Sequence, residues 1–470
     1  MTQGNAGGET VNVTLASLAA PRDTQDRLAA RGFSPDAAAA KARLVAACAL
    51  QLLDAGCPAD AEAYAIFVPG RIEVLGKHTD YAGGRSLIAA AEQGIGLVAV
   101  PREDMMIRAW AVEPGERCEF PFSADLAPAV GRWSNYLMTV ARRLARNFPG
   151  PLRGVDLAFA GDLPPAAGMS SSSAVVVACF MALAAANGLR GREEFRRNIS
   201  GDEDLADYLG CIENGQTFRG LAGDMGVGTF GGSEDHAAML CSRAGMLSQY
   251  SYCPMRLERR IAMPPGHVFA VASSGVAAEK TGDAMEKYNR ASRLAAEVAK
   301  TWRQATGRGD LHIAAALASA DPAAAAARMR GILAAAPPGG PFAARELVAR
   351  FEHFLAESEE IVPAAGPVAG DLAAFGRLAD RSQHVAETLL GNQVPETCFL
   401  ARRARDLGVA AASAFGAGFG GSVWALVPRG GAEEFLAAWA GPYRDAFPGP
   451  AARAVFFVTC AGRAAVELEE

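Results

Sequence analysis

One stretch, Gly168-Met169-Ser170-Ser171-Ser172-Ser173-Ala174, constrains the fold more than any other. It stands between a short apolar run, Val155 to Phe159, and a longer one, Val175 to Leu189. Asp162-Leu163-Pro164-Pro165 turns the chain after the first run, which reads as a strand. The second run has no proline and is rich in Ala, Met and Val, so it reads as a buried helix. A Gly/Ser loop opening such a helix presents free backbone N–H groups and the positive end of the helix dipole. That is an anion site, and a nucleotide phosphate is the anion expected. A serine simply capping a core helix explains this stretch alone equally well.

The 470 residues exceed what one core can hold, which predicts two to three domains. Half of them are hydrophobic and 20% are charged, as in a well-packed soluble chain. The net charge of −6 comes without a basic block, so nucleic acid is not an expected partner. Nine cysteines are scattered with no C-x-x-C, which predicts reduced thiols and a cytoplasmic protein. No apolar signal segment opens the chain and no run reaches membrane-spanning length, so no membrane partner is expected. The six histidines show no metal-ligand spacing, and no zinc site is expected.

Residues 1–25 read as a loose extension, followed by an amphipathic helix from Ala37 to Leu53. After a short strand at Ala65 to Val68 comes Gly70-Arg71-Ile72-Glu73-Val74-Leu75-Gly76-Lys77-His78-Thr79-Asp80-Tyr81-Ala82-Gly83-Gly84. It is not a P-loop: Gly70 is one residue too far upstream, and His78 stands where Ser or Thr binds magnesium. Strands at Ile72 to Val74 and Leu87 to Ala91 place its charged residues on a loop between them. Strands follow at Gly94 to Val100 and Met106 to Val112, and a helix at Trp133 to Asn147. Glu193 to Glu213 reads as helical in pieces.

Gly220 to His236 is a second glycine-dense loop, and Phe415 to Ser422 a third. Both contain G-x-G-x-x-G spacing, but neither sits between a strand and a helix as dinucleotide binding demands. Asp235, a carboxylate just after the second set of glycines, can approach a substrate hydroxyl; its plain reading is a helix cap. Between these loops lie a strand at His267 to Ser274, a helix at Ala284 to Gln304 carrying Tyr288, and mostly helix from 310 to 410.

Three such clusters in this order resemble the superfamily of galactokinase, homoserine kinase, mevalonate kinase and phosphomevalonate kinase. Within it, the first cluster is most similar to the galactokinase signature G-R-x-N-L-I-G-E-H-T-D-Y-x-G-G. The resemblance spans roughly residues 60 to 430. It implies an ATP-dependent sugar 1-kinase, most similar to galactokinase, of the α+β class. Its N-terminal domain would be ribosomal-protein-S5-like and its C-terminal domain ferredoxin-like, with the active site between them. The expected bounds are 26–255 and 256–470. A kinase for a uronic acid or arabinose, or a sugar and ATP sensor without turnover, are the alternatives; a monomer and a homodimer both stay open.

By the same resemblance Asp235 is the catalytic aspartate and Arg71 its partner. Lys77, His78, Asp80, Gly232 and Tyr288 contact the sugar. Gly168, Met169, Ser170, Ser171, Ser172, Ser173, Gly418 and Gly420 hold ATP. Ser172 and Glu213 bind magnesium, with Asp224 and Glu234 as rivals to Glu213. The chemistry is coherent: a carboxylate within reach helps a poor hydroxyl nucleophile as base, and a guanidinium offsets charge on the transferred phosphoryl. Two departures stand out. Lys77 replaces the family's glutamate, which would admit a substrate carboxylate or else face solvent. An insertion at Gly220 to Gly228 lengthens the gap from Glu213 to Asp235 and would reshape the sugar pocket.

Overall fold

Two sheets organise the chain in a computed structural model that describes residues 13–129, 131–164, 167–277, 282–318, 321–368 and 370–468. The strands are β1 (Tyr64–Leu75), β2 (Arg85–Pro101), β3 (Met106–Ala111), β4 (Glu116–Pro121), β5 (Val155–Gly161) and β6 (Met246–Ser251). They continue with β7 (Arg256–Ala262), β8 (His267–Ser273), β9 (Ala411–Phe415), β10 (Ser422–Pro428), β11 (Val455–Thr459) and β12 (Val466–Glu467). The first sheet runs β12-β1-β2-β5-β3-β4, with β6 on the far half of β2 and β7 on β6. The second runs β11-β8-β10-β9, all antiparallel, as a ferredoxin-like half requires.

β1 is buried along nearly its whole length because helices cover both faces of the sheet. On one side lies α3 (Pro35–Asp54), with Pro35 in its first turn and a Ser34 cap on Ala37 N–H. On the other lie α5 (Ser171–Ala186), apolar all round, and α8 (Glu234–Cys241). β2 is one strand where the sequence suggested two. Its polar middle, Glu92-Gln93-Gly94, continues the pairing because Gly94 lets the backbone close on β1: a Cβ there would sit 2.2 Å from the Val68 oxygen.

The expected loose extension is corrected over its described part. Residues 15–19 and 21–30 form α1 and α2, which bury Leu15, Leu18 and Leu28 against α3. The Leu15 and Ala16 amides donate to the Ala61 and Ala59 carbonyls. The expected division at 255/256 also falls inside a hairpin: β6 and β7 both belong to the first sheet, and β12 returns to it from the far end of the chain. Strand pairing over such separations leaves no local signal in the sequence.

Of the remaining helices, α4 (Ser134–Asn147) precedes β5, and α6 (Glu193–Asn198) and α7 (Asp202–Asn214) follow α5. Next come α9 (Gly282–Thr306), α10 (Ile313–Leu317), α11 (Pro322–Ala334) and α12 (Ala344–Phe354), which pack around Trp302, Phe351 and Phe354 in a core of their own. A π-helical stretch, Leu355–Ile361, continues α12 into α13 (Val362–Ala365). α14 (Leu372–Val385), α15 (Pro395–Asp406), α16 (Ala432–Ala446) and α17 (Pro448–Ala451) complete the second half. No helix among the described residues is long and apolar enough to cross a membrane. All nine cysteines are free thiols.

Candidate active site

The second half of β1 with the loop after it, the end of α7, the loop into α8 with its first turn, the start of α9 and the glycine loop between β9 and β10 converge at one cleft, and the start of α5 touches it through Ser173. The Arg71 amide donates to the Met169 carbonyl at 3.1 Å, which fastens β1 to the serine loop. Its guanidinium then reaches three groups. Nε lies 2.7 Å from Asp235 Oδ1 and 3.6 Å from Glu234 Oε1, and Nη1 donates to the Gly168 carbonyl at 3.3 Å. Asp235 sits in the first turn of α8, where the dipole favours a carboxylate, and accepts from Ser173 Oγ at 3.3 Å.

The cleft is lined by Arg71, Glu73, His78, Asp80, Tyr81, Glu213, Gly231, Gly232, Glu234, Asp235, Tyr288, Gly416 and Ala417. Thus the structure brings Asp235, Arg71, His78, Asp80, Gly232, Tyr288 and Glu213 to one place, as expected. Asp80 accepts from the Gly232 amide at 3.1 Å, so Gly232 holds the acid that faces the pocket. The His78 and Tyr288 rings stand 5.3 Å apart. Burial pushes the Glu234 carboxyl well above its ordinary range, and nearby Glu73 adds to this. Glu73 and Asp80 are raised by burial too. Burial opposes the Arg71 charge, but Asp235, Glu73 and Glu234 outweigh it and hold the cation firmly protonated.

The serine loop is shaped for an anion rather than closed by its own cap. Ser170 adopts φ +59° and its side chain makes no capping hydrogen bond to α5. The third glycine loop leans directly on it: a Cβ on Gly416 would meet the Gly168 oxygen at 2.6 Å, and Ser422 Oγ donates to the Ala167 carbonyl at 2.6 Å. Gly418 and Gly420, expected to touch ATP, do not line the cleft. They pack against Asn392 and Val276, where a Cβ would meet the two carbonyl oxygens at 2.3 and 2.5 Å, and so shape the loop.

Lys77 is corrected. It neither contacts the sugar cleft nor faces solvent. Its side chain is fully buried, and Nζ donates to Ser382 Oγ at 2.7 Å and Ser413 Oγ at 2.9 Å. Ser382 in turn donates to Glu357 Oε1 at 2.5 Å, and Glu357 Oε2 accepts the Gly76 amide at 3.0 Å. A buried lysine needs such partners, and they come from α14 and β9, far along the sequence. The insertion is corrected as well. Asp224 binds Arg142 at 2.9 Å and Arg143 at 3.6 Å, Asn135 Nδ2 donates to the Val227 carbonyl, and the loop is pinned to α4 outside the cleft.

Asp224 is therefore spent on arginines and Glu234 favours its protonated form, which leaves Glu213 as the carboxylate suited to a cation. Its Oε1 lies 3.5 Å from His236 Nε2. Among the described residues no group of three or more His, Cys, Asp or Glu could hold a metal by itself. Glu213 lines the cleft, and its hard carboxylate oxygens are of the kind that a magnesium ion takes, with other ligands from phosphates and water. Sequence reasoning assigned no sugar-pocket role to Glu73, Tyr81, Glu234, Gly416 or Ala417. The first two lie inside the first cluster, and Glu234 beside Asp235, so position was the available signal.

Comparison with known proteins gives the same geometry a family. Residues 58–101 match the family described as galactokinase galactose-binding signature, 135–224 the GHMP kinases N terminal domain, and 361–445 the GHMP kinases C terminal domain. The galactokinase of Roseiflexus sp. (strain RS-1) is 29% identical over 384 residues, covering 80% of this chain and 87% of the relative. That of Chloroflexus aggregans is 28% identical over 384 residues, covering 80% and 86%. Lactococcus lactis galactokinase complexed with galactose superposes with a TM-score of 0.70 at 22% identity, over 89% of this chain and 98% of that one. Methanococcus jannaschii mevalonate kinase gives 0.51 at 12% identity, over 85% and 98%. With all three matches in chain order on this two-sheet α+β fold, the chain carries the N- and C-terminal GHMP kinase domains together with the galactokinase galactose-binding signature, and is similar to galactokinases over most of its length.

Proposed function

We propose that the protein is a galactokinase, transferring the γ-phosphoryl group of ATP to the anomeric hydroxyl of galactose. The observation that carries this is the Arg71–Asp235 pair, 2.7 Å apart, in a cleft it shares with His78, Asp80 and Tyr288 at the mouth of the serine loop. Asp235 receives the proton of the attacking hydroxyl, and Arg71 keeps the aspartate oriented and stabilises charge on the transferred group. The serine-loop amides and the start of α5 cradle the phosphates. Magnesium, held by Ser172 and Glu213, would supply the positive charge that the phosphate oxygens need. Asp80 and His78 orient the sugar, and Tyr288 packs beside it.

A uronic acid kinase loses its rationale, since Lys77 points away and the cleft wall carries Glu73, Asp80, Glu213, Glu234 and Asp235 around one arginine. The test is ADP release with magnesium, ATP and a panel of galactose, arabinose, glucuronate, galacturonate and N-acetylgalactosamine. Galactose turnover that falls by roughly a thousandfold or more in Asp235→Asn is the expected result. Turnover confined to a uronate, or galactose binding with no turnover, would overturn the proposal.

A further inference from the structure

His78 is held from behind by a residue that lies in none of the segments matched to known families. It adopts a left-handed backbone, φ +57°, which a histidine keeps only when its surroundings enforce it. The enforcing group is Arg350 on α12. Its Nη2 donates to the His78 carbonyl at 2.5 Å and to the Tyr81 hydroxyl at 3.3 Å. Nη1 faces His353 Nδ1 at 3.0 Å, and Nε donates to the Ala291 carbonyl at 3.4 Å. Arg350 is 1% exposed, so this fork is fixed. Its helix adds two more holds on the same loop, Glu357 on the Gly76 amide and Ser358 Oγ on the Arg85 amide.

The donors and acceptors give this chain a direction. A guanidinium only donates, so the Tyr81 oxygen accepts from Arg350 and its single proton is free to go to His78 Nδ1, 2.8 Å away. The Ala417 carbonyl only accepts, so His78 Nε2, 3.0 Å from it, carries hydrogen. We propose that Arg350 is a positioning residue for sugar recognition: through Tyr81 it fixes His78 as the neutral Nε2–H tautomer at the wall of the sugar cleft. His78 spends that one N–H on the Ala417 carbonyl, so the chain from Arg350 through Tyr81 to Ala417 sets the place of the ring in the cleft wall that the sugar meets. The inference rests on the sugar-kinase reading for its consequence, but not for the tautomer.

Two measurements test it. In protein labelled with 15N-histidine, His78, assigned by comparison with His78→Gln, shows the Nε2–H tautomer at pH 8, and Tyr81→Phe turns it into a tautomer mixture. In kinetics, Tyr81→Phe and Arg350→Met each raise the galactose KM roughly tenfold while the ATP KM stays within about twofold. Adding Tyr81→Phe to Arg350→Met costs little more, because the second change breaks a chain already broken. Arg350→Lys, which keeps the charge but not the fork, recovers part of the loss. An Nδ1–H or doubly protonated His78, an unchanged galactose KM in Tyr81→Phe, or an equal rise in both KM values overturns the proposal. Should Arg350→Met fail to fold, Tyr81→Phe still decides it. Should the wild type not turn over galactose, the galactokinase reading falls, and the tautomer measurement decides this inference by itself.

Discussion

The loop from Gly76 to Gly84 has two ionised faces, and they are built on opposite rules. Towards the cleft, Arg71 stands among Glu73, Asp80, Glu234 and Asp235, so carboxylates outnumber cations and three of them are pushed up by burial. Away from the cleft, Lys77, Arg350 and Glu357 are also buried, yet the hydrogen-bond partners of each are protein groups in the dry interior. Buried charge that is matched fixes a shape; buried charge in excess is kept where a ligand is to share it. The same short sequence therefore supplies a clamp on one side and chemistry on the other.

The contrast can be broken from its cleft side first. Arg71→Met removes the one arginine among five acids of the cleft wall. kcat/KM for galactose should fall about a thousandfold, or ~4 kcal/mol, in an ADP-release assay. Activity within tenfold of wild type would mean that the excess negative charge is not managed by Arg71. On the clamp side the loss is in stability. Lys77→Met removes the buried cation that Ser382 links to Glu357 and should cost about 3 kcal/mol, read from the urea midpoint, with most of it recovered in Lys77→Met/Glu357→Gln. A galactose KM that rises with stability unchanged would instead return Lys77 to the sugar pocket.

The smallest effect sharpens the comparison through pH. Burial raises the Glu234 carboxyl above its ordinary 4.5, so the folded state holds a proton that the unfolded state has released. Its contribution is complete below that ordinary value and is lost as pH rises towards the folded pKa. Glu234→Gln should then stabilise the protein by roughly 1 kcal/mol at pH 8 and not at pH 4, seen as a higher Tm only at the higher pH. Equal Tm changes at both values would remove Glu234 from the strained set.

What could be read from the sequence divides along the same line. Arg71, His78, Asp80 and Asp235 were legible because each lies in a glycine-dense cluster, and such clusters announce close backbone approach. The serine loop was legible because its glycine, serines and apolar helix are contiguous. The direction of Lys77 was not, because Ser382 and Ser413 reach it from more than three hundred residues away. Arg350 carried no signal at all, being one of two arginines on the amphipathic α12. α1 and α2 were missed because three leucines, Leu15, Leu18 and Leu28, supply most of their buried surface. β2 was split because Gly94 punctuates a strand just as it would a turn.

The outer edge of β1, the strand that bears Arg71, is covered by β12 through the Ile66–Glu467 and Phe67–Val466 pairs. Arg31 Nη2 and the Ala65 carbonyl both bind residue Leu468 as well. A growing polypeptide therefore cannot finish its catalytic strand as it emerges. The edge stays open to wrong pairing until residues 466–468, about four hundred residues further along, dock on it, so the strand depends on one of the longest-range pairings in the fold.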